Sequence, residues 1–205
     1  MRVPINPGGV SWCGENPGIY LRDTPDGPFR TLALWFDVVL SPHGRGRTML
    51  VVAAPEEGRG FPDAPNLLMT DNQSLTRWLL DNFVLNMPTF RGKAGLPAAR
   101  FLPMESCARG GDLKSDYSVT VSGGGHALSM VWSALGEPFA VEVEAGQSAT
   151  GTHEMYSCFV EAKEAQILLD GSPLPGRVTD RSLFGRTIST AFLAFSETWV
   201  EPAAA

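Results

Sequence analysis

The segment "SDYSVTVSGGGHALSMVWSAL", Ser115 to Leu135, does most to restrict the fold of this chain. Tyr117, Val119 and Val121 alternate with Ser118 and Thr120; three glycines follow; then His126, Leu128, Met130 and Trp132 alternate with Ala127 and Ser129. A period of two puts alternate side chains on opposite faces of an extended strand, and glycines supply the left-handed backbone of a tight reversal. The pattern predicts an antiparallel hairpin, and related patterns recur along the chain. "TLALWFDVVL" and "TMLVVAA" flank the glycine-rich "SPHGRGR", "NLLMT" reads as a short strand, and "PFAVEVEAG" alternates Phe139, Val141 and Val143 with Glu142 and Glu144. "AQILLDGSPLPGRV" carries an Asp-Gly turn signal, and "ISTAFLAFSETWV" reads as a closing strand. About nine or ten such segments at this spacing predict an all-β, mainly antiparallel protein.

One helix interrupts the strands. "SLTRWLLDNFVLNM", near residues 74–86, sets Leu75, Trp78, Leu79 and Phe83 close to a 3.6-residue period, with Asp71, Asn72 or Ser74 as cap and Pro88 as terminator. Residues 1–30 carry so many prolines and glycines that they read as an extended arm, packed by Val10, Trp12, Ile19 and Tyr20 over a single domain of residues 31–205. Several strands mix polar side chains into an otherwise apolar face, as a barrel with a partly polar interior would. A β-sandwich is the alternative, with cleaner alternation expected. In architecture the pattern resembles the lipocalin or calycin-like class of ligand-holding barrels.

Charge argues against nucleic acid: 16 Lys plus Arg against 22 Asp plus Glu give a net −6, and glycines interleave the basic cluster Ser41–Arg47. No apolar run approaches the roughly 20 residues of a membrane helix, so no membrane insertion is expected. Cys13, Cys107 and Cys158 are odd in number and widely spaced, which argues against a disulfide framework or a zinc pair. With no basic-plus-apolar leader pattern at the N-terminus, the expected location is cytoplasmic. No metal site or cofactor is expected. The strand edges and the arm leave a homo-oligomer open as a third class of function.

"GTHEMYSCFVEAKE", Gly151–Glu164, gathers a histidine, a glutamate, a tyrosine and a cysteine. It lacks the second histidine of a His-Glu-x-x-His zinc site and reads as strand, which sends His153 and Glu154 to opposite faces. Acid-base chemistry therefore needs partners from different strands. Glu197 is the best carboxylate: alternation puts it on one face with Leu193, Phe195 and Trp199, where desolvation raises its pKa. His153 is the second catalytic candidate. His126, Trp132, Tyr117, Tyr156, Phe195, Trp199 and Trp35 are the candidate ligand-binding side chains. The functional expectation is a barrel interior that binds a small, largely apolar molecule. The alternative is a cofactor-independent isomerase, cyclase or hydratase/dehydratase on the same scaffold, using carboxylate and imidazole proton transfer.

Overall fold

The computed structural model describes residues 8–183 and 185–203. In chain order its strands are β1 (Gly8–Glu15), β2 (Gly18–Arg22), β3 (Phe29–Leu40), β4 (Gly46–Val52) and β5 (Asn66–Thr70), followed by helix α1 (Gln73–Asn82). Then come β6 (Arg100–Pro103), β7 (Ser106–Gly110), β8 (Asp116–Gly123), β9 (His126–Leu135), β10 (Phe139–Val143), β11 (Glu154–Leu169), β12 (Ser172–Pro173), β13 (Asp180–Leu183), β14 (Arg186–Ser189) and β15 (Ala191–Pro202). The protein is mostly β, and the hairpins predicted from alternation form: β3 pairs with β4 and β8 with β9, both antiparallel.

One large mixed sheet runs in the order β6-β5-β4-β3-β1-β15-β11-β9-β8-β7, with β2, β10 and β12 attached to its strands and β13-β14 as a separate hairpin. Its two terminal strands belong to one short stretch of chain. β6 runs parallel to β5, and three residues later β7 pairs with β8. Between them Met104 donates its backbone N–H to Thr70 O at 2.8 Å and Glu105 donates to Ser122 O at 2.8 Å, so the segment bridges both flanks. Only glycine permits the approach at Gly123, where an added Cβ would lie 1.9 Å from Pro103 O.

Residues 8–22, expected as part of an arm over the sheet, are strands within it. β1 sits between β3 and β15, and β2 pairs with both. Proline and glycine forbid a helix but not an extended strand, so their density marks the absence of helix and leaves open whether the extended segment pairs into the sheet. Residues 1–7 lie outside the described residues.

Both faces of the sheet are apolar. One cluster joins Trp35, Met49, Met69, Val119, Met130, Trp132 and Leu193, contributed by strands from almost the whole sheet order. The opposite face joins Leu34, Phe36, Leu50, Leu68, Phe159, Phe192 and Trp199 to Leu75, Leu79 and Phe83. β3 serves both, since Leu32, Leu34 and Phe36 go to one face and Ala33 and Trp35 to the other. The helix is capped by Asn72, whose side chain accepts the Leu75 N–H at 3.0 Å, and it ends at Asn82 before a separate 3-10 turn, Val84–Asn86. It docks through a hydroxyl cluster: Thr76 Oγ1 lies 2.6 Å from Thr48 Oγ1 and 2.7 Å from Thr70 Oγ1, all three residues buried. Each hydroxyl can donate once and accept, so the three satisfy one another in an apolar setting.

Candidate functional site

A cavity of about 550 Å³ opens on the helix-bearing face. β2, β11 and β15 form its floor through Tyr20, Met155, Phe159, Phe192 and Trp199, while β13 and the segments 87–91 and 147–149 wall its sides. The floor is continuous with the apolar cluster: Phe159 stacks on Phe192 at 5.2 Å, Tyr20 meets Phe192 edge-on at 5.5 Å, and Trp199 lies on Trp12 at 6.4 Å. Such offset and edge-on pairs are the favoured arrangements of aromatic rings.

Glu197 is 3 % exposed and lies on this floor. Trp199 donates its indole N–H to Glu197 Oε1 at 2.7 Å, and Asn16 donates Nδ2–H to the same oxygen at 3.1 Å. Burial raises the carboxyl from its ordinary 4.5 to about 7, and the two donors offset only part of that effect. The Asn16 Oδ1 has no partner among the described residues although it is fully enclosed.

A bulge in β15 puts the carboxyl there. From Tyr156 to Cys158 of β11 the partner strand advances from Thr198 back to Phe195, one residue too many, and Ser196 takes a left-handed φ of +53°. The alternation read from sequence, with Glu197 on one face with Leu193, Phe195 and Trp199, is therefore broken. Leu193 and Phe195 go to the opposite cluster; Glu197 and Trp199 go to the cavity. Re-aiming a side chain is what an extra residue in a strand accomplishes, because each residue of offset exchanges the two faces.

Three arginines also line the cavity: Arg22, Arg91 and Arg181. Arg181 lies over the rings of Tyr20 and Phe192, 5.0 and 4.9 Å from their centroids, and Arg22 over Phe29 at 4.2 Å. Burial and the neighbouring Arg22 charge lower the Arg181 pKa, opposed by Tyr20. Burial pushes the Tyr20 phenol far above its ordinary value.

The other residues singled out in the sequence lie elsewhere. Trp35, Tyr117, Trp132 and Phe195 belong to the opposite cluster, with the Trp132 indole donating to Gly18 O at 3.1 Å and Tyr117 Oη donating to Glu15 at 3.4 Å. His126 sits at the β8-β9 turn, 2.8 Å from Asp170 and edge-on to Phe61. Tyr156 donates to Glu154 at 2.6 Å. His153 is held by Thr150 and Thr152, each 3.1 Å from Nδ1, and its ring packs against Phe83 and Trp199. Burial lowers its pKa. It thus stands beside the indole that donates to Glu197.

Sequence reading missed Asn16, Tyr20, Arg22 and Arg181. The first three fall in the stretch read as an arm, where the short apolar run Ile19–Leu21 is the only local strand signal. Arg181 has no local signal, since only the return of the β13-β14 hairpin over β2 makes it a wall residue. Among the described residues no group of three or more His, Cys, Asp or Glu could hold a metal, and no helix is long and apolar enough to cross a membrane. No protein-family model, curated protein or solved structure matches this chain.

Proposed function

We propose that this chain binds one small, largely apolar molecule, and that the binding site is the cavity over β2, β11 and β15. The observation that carries the reading is the cavity's construction: about 550 Å³, floored by aromatic and thioether side chains and supplied with a few polar groups at fixed places. Burial of apolar ligand surface, at roughly 25 cal/mol per Å² before ordering costs, supplies the affinity. The sequence places the ligand in a barrel interior lined by His126, Trp132, Tyr117, Tyr156, Phe195, Trp199 and Trp35; of these only Trp199 lines the cavity assigned here, on the face opposite the Trp35 and Trp132 cluster. The sheet is read as a barrel closed by Arg100–Gly110, with the Trp35 and Trp132 cluster as its filled interior and the ligand outside it.

The test is a fluorescence titration with the uncharged probe N-phenylnaphthylamine. Saturable one-to-one binding, abolished by Ala149→Trp at the cavity wall, is the expected result. No saturable binding, or binding indifferent to A149W in a variant with native thermal stability, refutes the reading.

Glu197 favours a second reading on the same site, a cofactor-independent enzyme. A buried carboxyl with a pKa of about 7 is half-protonated near neutrality, which suits it to give and take a proton from a bound substrate. His153, behind Trp199, would position rather than transfer. Loss of turnover in Glu197→Gln, with probe affinity retained, separates catalysis from binding.

A further inference from the structure

Three cations surround this cavity without counter-charges. Among the described residues, none of the ion pairs includes Arg22, Arg91 or Arg181. Arg91 donates to Asn86 O at 2.7 Å and Arg22 to Pro25 O at 2.5 Å, both backbone acceptors. The Arg181 side chain makes no hydrogen bond among the described residues, and its Nε and that of Arg22 are fully enclosed without a partner. Arg91 is exposed, so the cost of withdrawing a guanidinium from water without an anion falls on the enclosed Nε–H groups of Arg22 and Arg181, in a protein of net charge −6 with carboxylates to spare. Among the described residues that line the cavity Glu197 is the one carboxylate, and burial drives it toward its neutral form.

Resting on the binding function proposed above, we infer that the ligand carries a carboxylate, held by Arg181 with Arg22 alongside, and a flat ring-containing apolar body lying on Phe159, Phe192 and Trp199. The order of groups along the cavity fits such a molecule. Arg181 lies over Tyr20 and Phe192, Phe192 stacks in turn on Phe159, and Trp199 bonds Glu197 on the same cavity lining. Stacking on Tyr20 and Phe192 holds the Arg181 plane, so little side-chain freedom remains to be lost when its fork meets a carboxylate. The aromatic floor favours rings over a flexible chain, because aromatic side chains pair favourably with a planar ring edge-on or offset.

The experiment is displacement of N-phenylnaphthylamine by naphthoate and by its uncharged counterpart naphthalenemethanol, on the full chain and on Arg181→Met. Methionine keeps an unbranched apolar stem against Tyr20 and Phe192 while removing the charge. Naphthoate should bind about 10- to 100-fold more tightly than naphthalenemethanol, and R181M should erase that advantage by lowering naphthoate affinity far more than the affinity for naphthalenemethanol or the probe. Equal affinity of the two, or a naphthoate preference that survives R181M, overturns the carboxylate assignment and leaves apolar binding standing. Absence of probe binding removes the underlying reading and the inference together. Should R181M unfold, Arg181→Gln and Arg22→Met carry the same comparison.

Discussion

Trp199 donates its indole N–H at 2.7 Å to the carboxyl of Glu197, two residues earlier on the same strand, and both side chains face the cavity. On a regular strand residues two apart share a face, and this pair does; the bulge at Ser196 decides which face that is, turning the pair away from Phe195 and Leu193. The geometry of the site thus depends on one extra residue.

The Glu197 carboxyl should make stability fall with rising pH. Below about pH 4.5 it is protonated in both the folded and unfolded chain; between there and about pH 7 the unfolded chain releases the proton while the folded chain keeps it, so folding loses ground; above that the loss is complete. The full effect is roughly 3 kcal/mol, at about 1.4 kcal/mol per tenfold change in proton affinity. Glu197→Gln should remove this contribution, which urea denaturation of both proteins between pH 4.5 and 8 measures. Parallel pH profiles for the two would refute it.

Ser196 holds a backbone conformation that costs a non-glycine residue about 1 kcal/mol. Ser196→Gly should therefore be neutral or stabilising by up to about 1 kcal/mol, and Ser196→Val should cost about 1–2 kcal/mol. A stability order with valine at or above glycine, by thermal or urea denaturation, would count against the strained bulge.

Thr76→Val keeps the shape at the helix-sheet contact and deletes the hydroxyl shared by Thr48 and Thr70. The two remaining hydroxyls are 3.2 Å apart and can still bond to each other, so the expected loss is about 1–2 kcal/mol and not more. A variant as stable as the parent would show that the cluster contributes nothing net.

Met130→Ala tests whether the two faces are energetically separate. Met130 is fully buried in the cluster opposite the cavity, and the truncation should cost about 2–5 kcal/mol. N-phenylnaphthylamine affinity should not change. A parallel loss of affinity in the folded variant would place the probe among Trp35 and Trp132 instead.

What the sequence by itself determined was the class of element: period-two alternation in Thr31–Leu40 and Ser115–Leu135 meant strands, glycines meant their reversals, and the 3.6-residue spacing of Leu75, Leu79 and Phe83 meant a helix. These are local properties, set by where successive side chains must point. The candidate carboxyl was legible too, since an acid among Phe and Trp residues is unusual anywhere in a strand. Its address was not. One bulge at Ser196 reverses every face assignment beyond it, and nothing in "AFSETWV" announces the bulge. Likewise Asn16, Tyr20 and Arg22 acquire meaning only when β2 enters the sheet, and Arg181 only when a distant hairpin lays it over Tyr20. Tertiary structure decided that the cavity opens on the helix-bearing face, because both faces of this sheet carry apolar clusters and only the packing of remote segments distinguishes them.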